Sequence, residues 1–138
     1  MASIRIEFDI EADAAHVWQV IGDWADGPAR MAPGHVLSSH ADGDVRVVTF
    51  ADGFIARERL VTRDDEARRI VYSLIGDTAR PEHDNAVMQV VPDSVGRCRL
   101  RWFRDVLPDD AAPSLSAAMQ DAASIIKSAL ETTSAARL

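Results

Sequence analysis

The chain opens on an alternation. Ile4, Ile6, Phe8 and Ile10 fall on one side and Arg5, Glu7 and Asp9 on the other, the period-two pattern of a half-buried strand. Asp13 then stands where a helix N-cap would. Val17, Trp18, Ile21 and Trp24 recur at helical spacing before Gly22, Gly27, Pro28 and Pro33 break regularity. This predicts one or two short helices directly after the first strand.

From His35 to Pro108 the period returns to two, in short β-rich runs over 35–40, 44–50, 54–62, 69–75, 85–91 and 97–106. Asp42-Gly43, Asp52-Gly53, Asp64-Asp65-Glu66 and the stretch from Pro92 to Gly96 separate them with turn chemistry. Hairpin-linked strands in succession predict an antiparallel meander. Only the link from Gly76 to Asp84, which contains Pro81, exceeds a tight turn, and it is a candidate rim loop. Beyond Asp109 and Asp110, which suit a helix N-terminus, the chain lacks glycine and predicts one long helix over 111–133. Leu115, Ala118, Met119, Ala122, Ile126, Ala129 and Leu130 form its apolar stripe, with Ser116, Gln120, Lys127 and Glu131 on the other side. Such a stripe must be buried against the sheet. The pattern is that of a single α+β domain over 1–138, with no repeat or linker.

Local motifs agree with this order of elements. The opening AHVWQVIGDWADGPARMAPG carries Val17, Trp18, Ile21, Asp23, Trp24, Pro33 and Gly34, and further on Glu58-Arg59-Leu60 precedes an Asp64-Asp65 turn and Tyr72. In these features the chain resembles the START/Bet v 1-like (SRPBCC) superfamily, most closely its polyketide cyclase/dehydrase-type branch, and also the plant abscisic-acid receptors. The turn after Gly53 is too short for the gate loop of those receptors. The resemblance implies a helix-grip fold, with about seven antiparallel strands wrapped around the long C-terminal helix and a ligand cavity between them. It also implies that Glu58 and Leu60 face inward.

Strand parity then selects the lining. Ala56 shares the face of Glu58 and Leu60, and the neighbouring strands offer Arg46, Val48 and Phe50 on one side and Ile70, Tyr72 and Leu74 on the other. Ala86, Met88 and Val90, then Leu100 and Trp102, continue the face, and the helix adds Met119, Ala122 and Ile126. An apolar lining with few polar groups suits a small-molecule site, although burial alone also accounts for each apolar member. Glu58 stands out because a carboxylate on an inward face needs a hydrogen-bond partner, a counter-charge or a raised pKa. It is a candidate ligand anchor or general acid/base, with Tyr72 as a candidate catalytic hydroxyl, or else one half of a structural pair with Arg46.

Composition and charge narrow the classes. A net charge of −7 and a pI near 4.9 argue against nucleic-acid binding, and Arg97, Arg99 and Arg101 alternate with Cys98, Leu100 and Trp102 as a solvated strand face does. The lone Cys98 excludes an internal disulfide and suggests a small buried hydrophobe. The four histidines, His16, His35, His40 and His83, show no metal-ligand spacing. No metal or other cofactor is called for. No apolar run suits membrane insertion or a signal peptide, which predicts a cytoplasmic protein, with homodimer formation left open. The expected partner is a small hydrophobic ligand: polyketide-like, aromatic, lipid or quinone. Two alternatives stand beside this binding role: a polyketide cyclase or dehydratase using Glu58, and an interaction protein whose cavity has collapsed.

Overall fold

The computed structural model describes residues 2–76 and 82–136. Its strands are β1 (Ala2–Ile10), β2 (Val36–Asp42), β3 (Val45–Phe50), β4 (Ile55–Asp64), β5 (Arg69–Ile75), β6 (His83–Ser94) and β7 (Arg97–Leu107). They form one seven-stranded antiparallel sheet in the order β1-β7-β6-β5-β4-β3-β2. Two short helices, α1 (Ala14–Ile21) and α2 (Gly27–Met31), follow β1, and α3 (Ala112–Ala136) closes the chain. This is the helix-grip arrangement. The meander follows from the turns: Gly43, Gly53 and Gly96 take positive φ between consecutive strands, a conformation that side-chain-bearing residues reach only with strain.

Several elements differ from their predicted limits. β6 is longer than 85–91 because it pairs with β7 from His83↔Leu107 to Ser94↔Arg97, and a paired backbone stays extended whatever its side chains. Of the candidate rim loop 76–84, residues 77–81 lie outside the described residues. Trp24 sits after α1 rather than on it and is buried. Asp13 occupies the N-cap position of α1 without a side-chain cap, because its carboxylate instead accepts the Gly96 N–H at 2.8 Å, tying the β6–β7 turn to α1. Asp109 and Asp110 form a short 3₁₀ turn before α3 instead of capping it.

The core lies between the sheet and the helices. Ile10, Val17, Ile21, Val48, Ile70, Val90, Cys98, Leu100, Ile126 and Leu130 are all buried in it. On the side of α3 that meets the end of β1, Lys127 and Glu131 are half-buried rather than free. Lys127 Nζ donates to the Asp9 carbonyl at 2.8 Å and to Glu131 at 2.7 Å, while Glu131 accepts the Glu11 N–H at 2.8 Å. Lys127, and then that N–H, hold the Glu131 carboxyl below the usual range. This clamp fixes the helix against the end of β1. The Arg97–Arg99–Arg101 face is solvated as expected, its guanidiniums reaching Asp9 and Glu7 across the β1–β7 pair.

Candidate functional site

Parity and register together bring charged groups onto the inward face. Arg46 on β3 pairs directly with Glu58 on β4, so both side chains rise from the same row of the sheet. Two strands across from Tyr72, the register Tyr72↔Ala86↔Arg104 puts Arg104 in line with the phenol over the small Ala86. Asp84, two residues before Ala86, shares this face and takes Arg104 in a bidentate pair, Nε–Oδ1 and Nη2–Oδ2 both 2.6 Å. Two ion pairs, each one arginine with one carboxylate, thus stand in an otherwise apolar wall.

Arg46 is held on every side. Its Nε donates to Glu58 Oε1 at 2.7 Å and its Nη1 to the Trp24 carbonyl at 3.2 Å. Its guanidinium carbon lies 4.0 Å from the Trp24 ring centroid and 4.7 Å from that of Tyr72, so the cation meets two aromatic rings. Glu58 is therefore structurally paired, as one of the two sequence alternatives has it. It is not used up, however, since among the described residues nothing donates to Oε2.

Between this wall and α3 lies a cavity of about 260 Å³. Arg46, Val48, Phe50, Ala56, Glu58, Tyr72 and Leu74 border it from β3, β4 and β5. Met88 and Trp102 border it from β6 and β7, and Met119, Ala122 and Ile126 from α3. Five other candidates, Leu60, Ile70, Ala86, Val90 and Leu100, share the inward parity but do not border the cavity; they belong to the packed core.

The tyrosine is chemically distinctive. Tyr72 is buried, and burial first, then the Glu58 carboxylate, pushes its phenol up from 10.0 to about 12. At neutral pH it is a hydrogen-bond donor and not a base. Around Arg104, burial opposes the charge, but the two hydrogen bonds it donates to Asp84 and the charge of that carboxylate outweigh it and hold the guanidinium above its ordinary pKa. Cys98 is fully buried away from the cavity, its thiol raised to about 11 by burial and by Asp13. No cluster of three or more His, Cys, Asp or Glu side chains that could hold a metal ion occurs among the described residues.

Comparison with known proteins places this architecture. A model of the family described as polyketide cyclase / dehydrase and lipid transport matches residues 1–137. The chain belongs to that family. Solved structures share its fold: a Bacillus thuringiensis protein superposes with a TM-score of 0.81 at 21% identity, covering 94% of this chain and 98% of the other. Norcoclaurine synthase from Thalictrum flavum, in complex with dopamine and hydroxybenzaldehyde, superposes at 0.67 with 23% identity over 94% of this chain and 87% of its own. The di-domain ARO/CYC BexL does so at 0.73 with 16% identity, over 96% of this chain and 46% of its own. No curated protein sequence matches the chain.

Within this family member, the cavity has a wall that sequence reasoning missed. Pro28, Met31 and Ala32 from α2 and the following turn, with Val36 from β2, close it on the side away from β7. His35, Asp52, Phe54, Leu115 and Ala118 surround its open end, where Asp52, Phe54 and Ala118 are solvent-exposed. His35 stacks edge-on against Phe50 there, centroids 5.5 Å apart. Arg104 borders the cavity as well, and a signal for it existed: it continues the parity of Leu100 and Trp102, as Asp84 continues that of Ala86 and Met88.

Proposed function

We propose that the protein encloses a small, mainly apolar ligand, aromatic or polyketide-like in character, between the sheet and α3. The observation that carries this is the cavity of about 260 Å³ itself, close to the lower end of the ~300–1,000 Å³ of small-molecule sites. Apolar residues surround it on most sides, with Tyr72, Glu58 and Arg104 as a few convergent polar groups. Membership of a family of cyclases, dehydrases and lipid carriers supports the ligand class. The fold neighbour in complex with dopamine and hydroxybenzaldehyde supports a ligand of about that size.

The open Oε2 of Glu58 favours one further reading, a cyclase or dehydratase step. Glu58 would accept a proton α to a ligand carbonyl while the Tyr72 hydroxyl donates to the carbonyl oxygen as negative charge develops there. Binding and turnover would then use the same groups.

Native mass spectrometry of the protein purified from its own host tests the binding role, with a retained adduct as the expected result. Ala118→Trp provides the control, because Ala118 borders the cavity from an exposed helix position. A tryptophan there fills the opening without entering the core. Loss of the adduct from a folded Ala118→Trp variant supports the cavity as the site, and an adduct retained undiminished would refute it.

A further inference from the structure

Each guanidinium at the cavity wall already faces a carboxylate. Arg46 is paired with Glu58 and Arg104 with Asp84, so the formal charges of the buried wall cancel. A ligand carboxylate placed there would lose its hydration without meeting an unneutralised cation, and it would lie near the open oxygen of Glu58. A neutral ligand oxygen carries no such penalty and needs only one donor.

Tyr72 supplies that donor. Tyr72 is buried yet borders the cavity, its hydroxyl makes no hydrogen bond among the described residues, and Trp102 stands on the same wall. The Trp102 indole N–H is buried on that wall without a hydrogen-bond partner among the described residues, which leaves a second donor unsatisfied beside the cavity.

We infer that the cavity selects a neutral ligand presenting a carbonyl or similar acceptor to Tyr72, and that it discriminates against the corresponding carboxylate. The inference deepens the binding role proposed above and rests on it. Three probes of nearly one shape separate the two ideas by calorimetric titration: naphthyl methyl ketone, naphthoate and isopropylnaphthalene. The expected order is ketone tightest, with naphthoate weaker than the ketone by at least about tenfold. In Tyr72→Phe, which keeps the ring, the ketone should lose about fivefold in affinity, the change typical of one hydrogen bond, while the hydrocarbon is unaffected. Naphthoate binding as tightly as the ketone would overturn the inference. So would an unchanged ratio of ketone to hydrocarbon affinity in Tyr72→Phe, and in both cases the binding role survives. Failure of all three probes to bind a folded parent protein would overturn the binding role and the inference together.

Discussion

Replacing Glu58 with glutamine tests how the cavity wall holds together. In the native protein the Arg46–Glu58 pair is 2.7 Å long, with side chains 4% and 10% exposed. Removing one partner of such a pair typically costs about 3–5 kcal/mol, because the other charge is left buried. Three features here moderate that figure. Glutamine retains an oxygen to accept from Arg46 Nε, the Trp24 carbonyl still accepts from Nη1 at 3.2 Å, and the Trp24 ring at 4.0 Å still meets the cation. Since a desolvated cation–π contact alone contributes ~2 kcal/mol, the expected loss for Glu58→Gln is about 2–3 kcal/mol, or roughly 10 °C in Tm. Arg46→Met should cost more, about 4 kcal/mol, because the Glu58 carboxylate has no other donor among the described residues. The double variant Arg46→Met/Glu58→Leu should recover much of that loss, since a well-packed apolar pair is often as stable as a buried ionic one. Urea unfolding followed by circular dichroism measures all three. A Glu58→Gln variant within about 0.5 kcal/mol of the parent, or a double variant no more stable than Arg46→Met alone, would refute the structural role of the pair.

The chain holds one tyrosine, so near-ultraviolet phenolate absorbance reports Tyr72 alone, and the folded protein should titrate near 12 rather than at 10.0. Because the unfolded phenol ionises first, stability should fall as pH rises from about 10 to about 12, by about 3 kcal/mol in all; a midpoint near 10 in protein still folded by circular dichroism would remove the cause. Ile126, 2% exposed on α3, should not tolerate aspartate, which strands a charge between helix and sheet, so a cooperative melt of Ile126→Asp close to that of the parent would contradict the packing described. Cys98, buried with its thiol raised to about 11, should react with a disulfide reagent only as fast as the protein opens; rapid labelling at neutral pH without denaturant would count against its burial.

The fold was legible because it rests on periodicity. Alternation at Ile4, Ile6, Phe8 and Ile10, the Asp-Gly turns and the stripe from Leu115 to Leu130 each constrain one element, and the chain then has few ways to bury all of its apolar faces. Element limits were less legible, since they depend on pairing partners. Nothing in His83 or Ser94 announces a strand, yet both are held by β7. Capping was the least legible: Asp13 has the right residue type in the right place, but a distant N–H at Gly96 competes for its oxygen.

The site was legible in its facing but not in its extent, for a geometric reason. Parity says on which side of the sheet a residue lies and nothing about whether α3 covers it there. Met88 and Val90 share a strand face, and only Met88 meets the void. What decides between them is where α2 and α3 lie over the sheet, since Met31, Met119 and Ala122, far away in sequence, border the void from those helices. The charged residues could have been handled better by the same parity. Glu58 attracted notice as an isolated inward carboxylate, but Asp84 and Arg104 have equal claim, and a buried charge demands a partner of opposite sign. Pairing the inward charges across neighbouring strands joins Arg46 to Glu58 and Asp84 to Arg104. The wall's near-zero net charge then follows from sequence and register alone. That neutrality, more than any single residue, limits what the cavity can hold.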